Sequence, residues 1–170
     1  MPKKGYPFES LIRSSLIDFF VEYHIPAYVR REYQNIPNFI GTDITVDSSY
    51  PAWNMAIECK SRANTNKVKP LEQFSLKDLF KDGQLERIKD YLHLSGKRGY
   101  LAIEARKRPK NKHYVVRVRD VWEVYARGTT SIKVFDPKEL PRPIKKNEVI
   151  AKELVKNEDG IYNMNECFLW

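Results

Sequence analysis

The stretch Trp53-Asn54-Met55-Ala56-Ile57-Glu58-Cys59-Lys60 alternates without a break. Trp53, Met55, Ile57 and Cys59 fall on one side, and Ala56, Glu58 and Lys60 on the other. Side chains alternate across an extended backbone, so the pattern predicts a β-strand with an apolar face against a core. Residues two apart project from the same face, about 6.5–7 Å from each other along the chain. Glu58 and Lys60 are therefore expected as an acid and an ammonium side by side on a solvent-facing surface, with Cys59 between them pointing inward as a small buried hydrophobe.

The segment just upstream has the same period. Gly41-Thr42-Asp43-Ile44-Thr45-Val46-Asp47 reads as a strand with Ile44 and Val46 facing the core and Asp43 on the opposite face. Ser48-Ser49-Tyr50-Pro51 reads as the turn between the two strands. If the strands are neighbours, Asp43 and Glu58 converge. Two carboxylates suit a hard divalent cation such as Mg²⁺, whose remaining positions go to water and a phosphate oxygen. Such a cation polarises phosphorus and acidifies bound water, and Lys60 would offset charge that develops in the transition state or help position the attacking water. Taken alone, an acid and a lysine alternating on an exposed strand are common and often only solvated or weakly bridged. The acid on the preceding strand, a helix carrying Glu9 beside its apolar stripe and a basic segment downstream strengthen the catalytic reading.

Further out on the N-terminal side, Phe8, Leu11, Ile12, Ser15, Leu16, Phe19, Phe20 and Tyr23 recur at helical spacing. They predict an amphipathic helix from about Phe8 to His24, stopped by Pro26, then a short strand at 27–31. On the C-terminal side a polar loop, 61–70, precedes a short helix capped by Ser75 and holding Leu76, Leu79 and Phe80. A longer helix is expected to be capped by Asp82, to bury Leu85, Ile88, Tyr91 and Leu92, and to close at Gly96. Residues 99–105 and 113–118 read as a hairpin, 120–125 as helix and 131–135 as one more strand. Past Asp136 the prolines at 137, 141 and 143 break the pattern, and 165–170 reads as a small apolar cap on a polar segment. The order is α-β-β-β-α-β-β with additions, an α/β fold with a central mixed sheet flanked by helices.

At 170 residues the chain reads as one domain, 1–170, with a core of about 8–135 and an extension at 136–170. A hydrophobic fraction of 42% with 12% aromatics excludes a disordered chain. No run approaches the ~18 apolar residues of a membrane span, and the N-terminus lacks the apolar region of a secretory signal. Cys59 and Cys167 are too few for a disulfide framework or a cysteine zinc cage. These features point to an intracellular, cytoplasmic protein, nucleoid-associated or viral in an infected cell, without membrane partner or small-molecule cofactor.

The net charge of +8 is concentrated: residues 1–60 hold 6 Lys/Arg against 7 Asp/Glu, 61–130 hold 17 against 8, and 131–170 hold 7 of each. A local basic surface is the footprint of a polyanion, because each neutralised phosphate releases counterions; its alternative is a solvated face. Arg62, Lys67 and Lys69 lie along the expected DNA approach. Lys107, Arg108, Lys110 and Lys112, in the connection of the hairpin, are either a phosphate clamp or solvated. Glu72, Asp78 and Asp82 are competing acids on the loop side. His24, His93 and His113 show no metal-ligand spacing.

Glu9 on the first helix, Asp43 in Gly-Thr-Asp-Ile and Ile57-Glu58-Cys59-Lys60 together resemble the signature of the PD-(D/E)XK nuclease superfamily. Within it the chain is most similar to Holliday junction resolvases, of the archaeal Hjc type and the bacterial RecU type. The RecU likeness continues through Phe74-Ser75-Leu76, Gln84, Gly99-Tyr100-Leu101-Ala102-Ile103 and Gly128-Thr129-Thr130-Ser131-Ile132, so it covers roughly residues 8–135. The motif is short and degenerate, and order and spacing carry most of the weight. The resemblance implies a restriction-endonuclease-like core in which Asp43 and Glu58 hold Mg²⁺, with Mn²⁺ able to substitute. It implies Lys60 as the catalytic lysine, Glu9 as a third acid near the metal and Gln84 as a helix residue facing the site. Arg30 or Arg31 becomes the phosphate contact after the first helix. Thr42 stands where the signature has Pro, and the Asp43–Glu58 connection is too short for the protruding stalk of RecU-type enzymes.

The expected activity is metal-dependent endonucleolytic hydrolysis of DNA, branched or duplex, by a resolvase-like C2 homodimer. A restriction-type endonuclease on duplex DNA and a non-catalytic DNA-binding protein retaining the fold are the alternatives. An RNA substrate is equally compatible with the basic surface, since phosphate contacts are shared by both nucleic acids.

Overall fold

The computed structural model describes residues 6–32, 41–63, 72–106, 110–164 and 167–168. Helix α1, Tyr6–Glu22, leads into strand β1, Ala27–Arg31. The apolar stripe explains the helix: Phe8, Ile12, Leu16, Phe19 and Phe20 are all buried along it. It stops two residues before the expected end, where His24 turns left-handed at φ 53° ahead of Pro26.

Strands β2, Ile44–Ser48, and β3, Met55–Ala63, are joined through a 3-10 turn at Pro51–Trp53. β1, β2 and β3 form an antiparallel meander in which Ile44 lies opposite Ile57 and Val46 opposite Met55. Strand β4, Gln73–Ser75, helix α2, Leu76–Leu79, and helix α3, Gln84–Ser95, then cross over to β5, Arg98–Arg106. β5 runs parallel to β3, with Glu58 beside Leu101 and Lys60 beside Ile103. Strand β6, Lys112–Arg117, returns antiparallel to β5, as the hairpin pattern predicts. Helix α4, Val118–Ala126, and strand β7, Ser131–Phe135, follow.

Two expectations are corrected. The segment after Asp136 contributes a strand, β8, Glu148–Glu153, which enters the sheet between β6 and β7. The sheet order is β1-β2-β3-β5-β6-β8-β7-β4. Its acidic ends hide the strand pattern: Glu148 is buried because Arg142 pairs with it at 2.7 Å and the Lys145 amide donates to it at 2.9 Å. Helix α3 is entered through Gly83 and not capped by Asp82; Gly83 sits at φ +69°, a left-handed conformation in which Asp is strained.

The chain thus adopts the expected α/β class, a central mixed sheet flanked by helices. One face of the sheet packs on α1 through Ile44, Met55, Ile57 and Tyr100, and the C-terminal residues Tyr162, Met164 and Phe168 complete that layer. The other face packs on α2, α3 and α4 through Leu101, Ile103, Val116, Leu79, Ile88 and Val121. Each fully buried Leu or Ile contributes about 1.5–3 kcal/mol relative to exposure. No helix among the described residues is long and apolar enough to cross a membrane.

Candidate active site

Because both faces of the sheet are covered, the Glu58–Lys60 face is not the solvent-facing surface that alternation suggests. Glu58 is buried with its side chain 0% exposed, and Lys60 retains 14%. Burial at this place costs a charged group heavily unless it is paired and hydrogen-bonded, and the partners are present. Lys60 Nζ stands 2.6 Å from Glu58 Oε1. Gln84, in the first turn of α3, donates from Nε2 to the same oxygen at 2.7 Å and accepts from Lys60 Nζ at 3.1 Å through Oε1. The Lys81 amide also donates to Gln84 Oε1, at 3.2 Å, which fixes the side-chain amide's orientation. The helix thus delivers Gln84 to the strand pair, and Glu58, Lys60 and Gln84 form one closed polar triangle.

Asp43 immediately precedes β2, and the Ile44–Ile57 register carries it beside Glu58. Its Oδ2 accepts the backbone N–H of Cys59 at 2.7 Å. Burial and the negative charge of Glu58 push the Asp43 carboxyl up to about 7, against the pull of the Cys59 amide. Burial likewise raises Glu58, with Lys60 and Gln84 opposing it. The charge of Glu9 adds to the upward pressure on both. The second oxygen of Glu58, Oε2, is buried and accepts no hydrogen bond.

That orphaned oxygen beside a second buried carboxylate fits a divalent cation. A cation held by Asp43 and Glu58 would occupy the bare acceptor and relieve the repulsion that drives both groups toward protonation. Among the described residues no group of three or more His, Cys, Asp or Glu side chains is placed to hold a metal. Glu9 belongs to the electrostatic neighbourhood of the pair, while its carboxylate is ion-paired with Arg31 Nε.

The remaining expected contacts are dispersed. Arg30 is bound to Asp47 at 2.8 Å, with Glu32 at 3.9 Å. Arg62, near the end of β3, keeps a buried Nε without a hydrogen bond and donates from a terminal nitrogen to the Ser61 carbonyl at 3.4 Å. Lys112 reaches Glu72 at 3.2 Å, and Lys110 is exposed. Lys67, Lys69, Lys107 and Arg108 lie outside the described residues. Of the competing acids, Glu72 is taken up by Lys112, and Asp78 sits in the first turn of α2. The Cys59 amide was not among the expected participants. Its role follows from the register: a strand residue flanked by Glu58 and Lys60 turns its side chain to one core and leaves its N–H for the neighbouring strand's acid.

No family model matches the chain, and no curated protein does. Among solved structures, it is similar to that of Hjc from Archaeoglobus fulgidus, a Holliday junction resolvase from an archaeal hyperthermophile. The similarity has a TM-score of 0.40 and 18% identity, and it covers 62% of this chain and 76% of that one.

Proposed function

We propose that the protein is a metal-dependent DNA endonuclease with a restriction-endonuclease-like core, and that its preferred substrate is a four-way junction. The observation that carries the reading is the buried Glu58, bonded by Lys60 and Gln84 through one oxygen, bare at the other and flanked by Asp43. A structural acid in a sheet interior has no reason to keep an unpaired oxygen next to a second carboxylate, since each unsatisfied buried acceptor costs about 1–3 kcal/mol.

In this reading Asp43 and Glu58 hold Mg²⁺, or Mn²⁺ in its place. The bound cation supplies Lewis acidity toward the phosphate and acidifies a water. The chain's own groups do the rest. The Cys59 amide fixes the Asp43 carboxylate, and Gln84 fixes Glu58 and Lys60 together. The Lys60 ammonium has three donors; two are committed to Glu58 and Gln84, and the third is available to a non-bridging phosphate oxygen as charge accumulates there. Hydrolysis forms a bond from water oxygen to phosphorus and breaks the bond to the leaving sugar oxygen, which takes up a proton. The basic excess of residues 61–130 provides the attraction for the backbone.

A junction has two-fold symmetry and opposed cleavage points, so the proposed working form is a homodimer acting inside the cell. Mapping the products from a labelled four-way junction and the matching linear duplex, with Mg²⁺, tests the substrate. Paired symmetric nicks confined to the junction are expected. Equal cutting of both removes the junction preference, and cutting of duplex at one fixed sequence selects a restriction-type enzyme.

A further inference from the structure

At the end of the sheet where β5 begins, a second basic feature lies apart from the carboxylates. A cleft of about 480 Å³ opens between the C-terminal half of α3 and the start of α4. Its floor is apolar, formed in part by Leu92, Val118 and Trp122, and Lys89 covers the Trp122 ring at 4.2 Å. Gly99 closes the floor because α3 lies directly on it: a Cβ there would come within 2.1 Å of Leu92 Cδ1. Its walls carry Lys89, Lys97, Arg98, Arg117 and Arg119, and no carboxylate lines it.

Two acids behind the walls absorb part of this charge. Lys97 Nζ is bound by Asp47 Oδ1 at 2.6 Å and Asn54 Oδ1 at 2.7 Å. Arg117 Nε donates to Asp120 at 2.9 Å, with Arg119 3.8 Å from the same carboxylate. Counting Asp47 and Asp120 against the five cations leaves an excess of three positive charges. Arg98 and Arg119 are exposed at the rim.

The position of the cleft identifies what it would hold. Gln84 opens α3 at the carboxylates, and Leu92 lies eight residues further along the helix, about 12 Å at 1.5 Å per residue. Strand β5 gives a second measure: Leu101 pairs with Glu58, and Arg98 lies three residues before it, about 10 Å at 3.3 Å per residue. Successive phosphates of one DNA strand advance about 3.4 Å along the helix axis. The cleft is thus three to four nucleotides from the candidate site.

We infer that the α3–α4 cleft, through Arg98, Arg119 and Lys89, binds the phosphodiester backbone of the nucleic acid three to four nucleotides from the cleavage position. The inference deepens the nuclease reading by adding a flanking anchor that sets how the strand crosses the carboxylates. Lys89 is held over Trp122, so its charge is positioned at the mouth before the ligand arrives, and the two rim arginines supply the contacts that form on binding.

The test is equilibrium binding of a fluorescent four-way junction in EDTA over a salt series, which does not depend on cleavage. The proteins are wild type, an Arg98→Gln/Arg119→Gln variant and a charge-matched Lys138→Gln/Lys146→Gln variant altered at exposed positions outside the cleft. Each lost phosphate contact reduces the slope of log K against log salt by about 0.9, so the cleft variant is expected to be shallower by about 1.8. The charge-matched variant is expected to keep the wild-type slope. An unchanged slope in the cleft variant overturns the inference, as does an equal loss in both variants or a wild type that does not bind. Quenching of Trp122 by ATP with no change in the DNA slope also overturns it, in favour of a nucleotide pocket. A shallower slope in the cleft variant, combined with no cleavage by wild type in Mg²⁺, leaves the anchor standing and removes the nuclease reading.

Discussion

The carboxylate of Asp43 accepts the backbone N–H of Cys59 at 2.7 Å, which ties the entry of β2 to the residue between Glu58 and Lys60. The bond holds an acid against a neighbouring acid. Without a cation, the arrangement is tolerated only because burial and repulsion make Asp43 easy to protonate, with its carboxyl near 7. The amide that positions the group pulls the other way, favouring the anion that a metal would need.

Asp43→Asn keeps an oxygen for the Cys59 amide and removes the charge. In EDTA at pH 8 the variant is expected to melt at least about 3 °C above wild type, since it no longer ionises beside Glu58. With Mg²⁺ it should lose at least a hundredfold in cleavage. Thermal melts paired with single-turnover assays read both effects, and a variant less stable than wild type in EDTA would mean that the Asp43 charge stabilises the fold.

The raised carboxyl sets a pH dependence. An Asp with an ordinary value of 3.8 when unfolded and about 7 when folded binds more protons in the folded state between those limits. Metal-free stability attributable to Asp43 therefore falls as pH rises from about 4 to about 7 and then levels off. Metal binding must displace that proton, so affinity for Mn²⁺ should rise at least about tenfold per unit from pH 5 to 7. Calorimetric titrations across that range measure it, and a flat profile contradicts metal binding through Asp43.

Gln84 touches both Glu58 and Lys60, so Gln84→Ala frees the two polar groups at once. Loss of such a supporting contact typically costs 10–100-fold in metal affinity or activity. A fall in that range is expected for Gln84→Ala in both Mn²⁺ titration and cleavage rate, with DNA affinity in EDTA unchanged. Unaltered metal affinity would reduce Gln84 to a helix-start residue.

Gly99 has no room for a methyl group because Leu92 lies against it. Gly99→Ala is expected to destabilise the protein by about 1–3 kcal/mol. In the Gly99→Ala/Leu92→Ala double variant the combined loss should be smaller than the two single losses added together. Urea denaturation of the four proteins gives the cycle, and strict additivity would mean that α3 does not rest on β5 at this point.

Much of this is legible in the sequence. The Trp53–Lys60 alternation placed Glu58 and Lys60 on one face, and the Ile44–Val46 pattern put Asp43 within reach, because strand period and antiparallel pairing leave little freedom. The burial of that face is not legible there. Alternation reports which residues share a side, and the crossover of α2 and α3 that covers the side is not local to the strand. β8 is hidden in the sequence because Glu148 and Glu153 bracket it and the neutralising Arg142 lies in a separate, proline-interrupted stretch. The α3–α4 cleft draws its cations from α3, the turn before β5, β5, β6 and α4. The basic excess of 61–130 is legible in the sequence, and the gathering of these five side chains around one cleft depends on the tertiary packing.

In the proposed function the buried Asp43–Glu58 pair holds the divalent cation with which the protein cleaves DNA. The most direct measurement of that role is single-turnover cleavage of a four-way junction by wild type and Glu58→Gln, each with Mg²⁺ and with EDTA, alongside junction binding by both proteins. Cleavage is expected only by wild type with Mg²⁺, and equal binding by the two proteins. Cleavage by Glu58→Gln at the wild-type rate, or its absence in wild type despite tight binding, would contradict it.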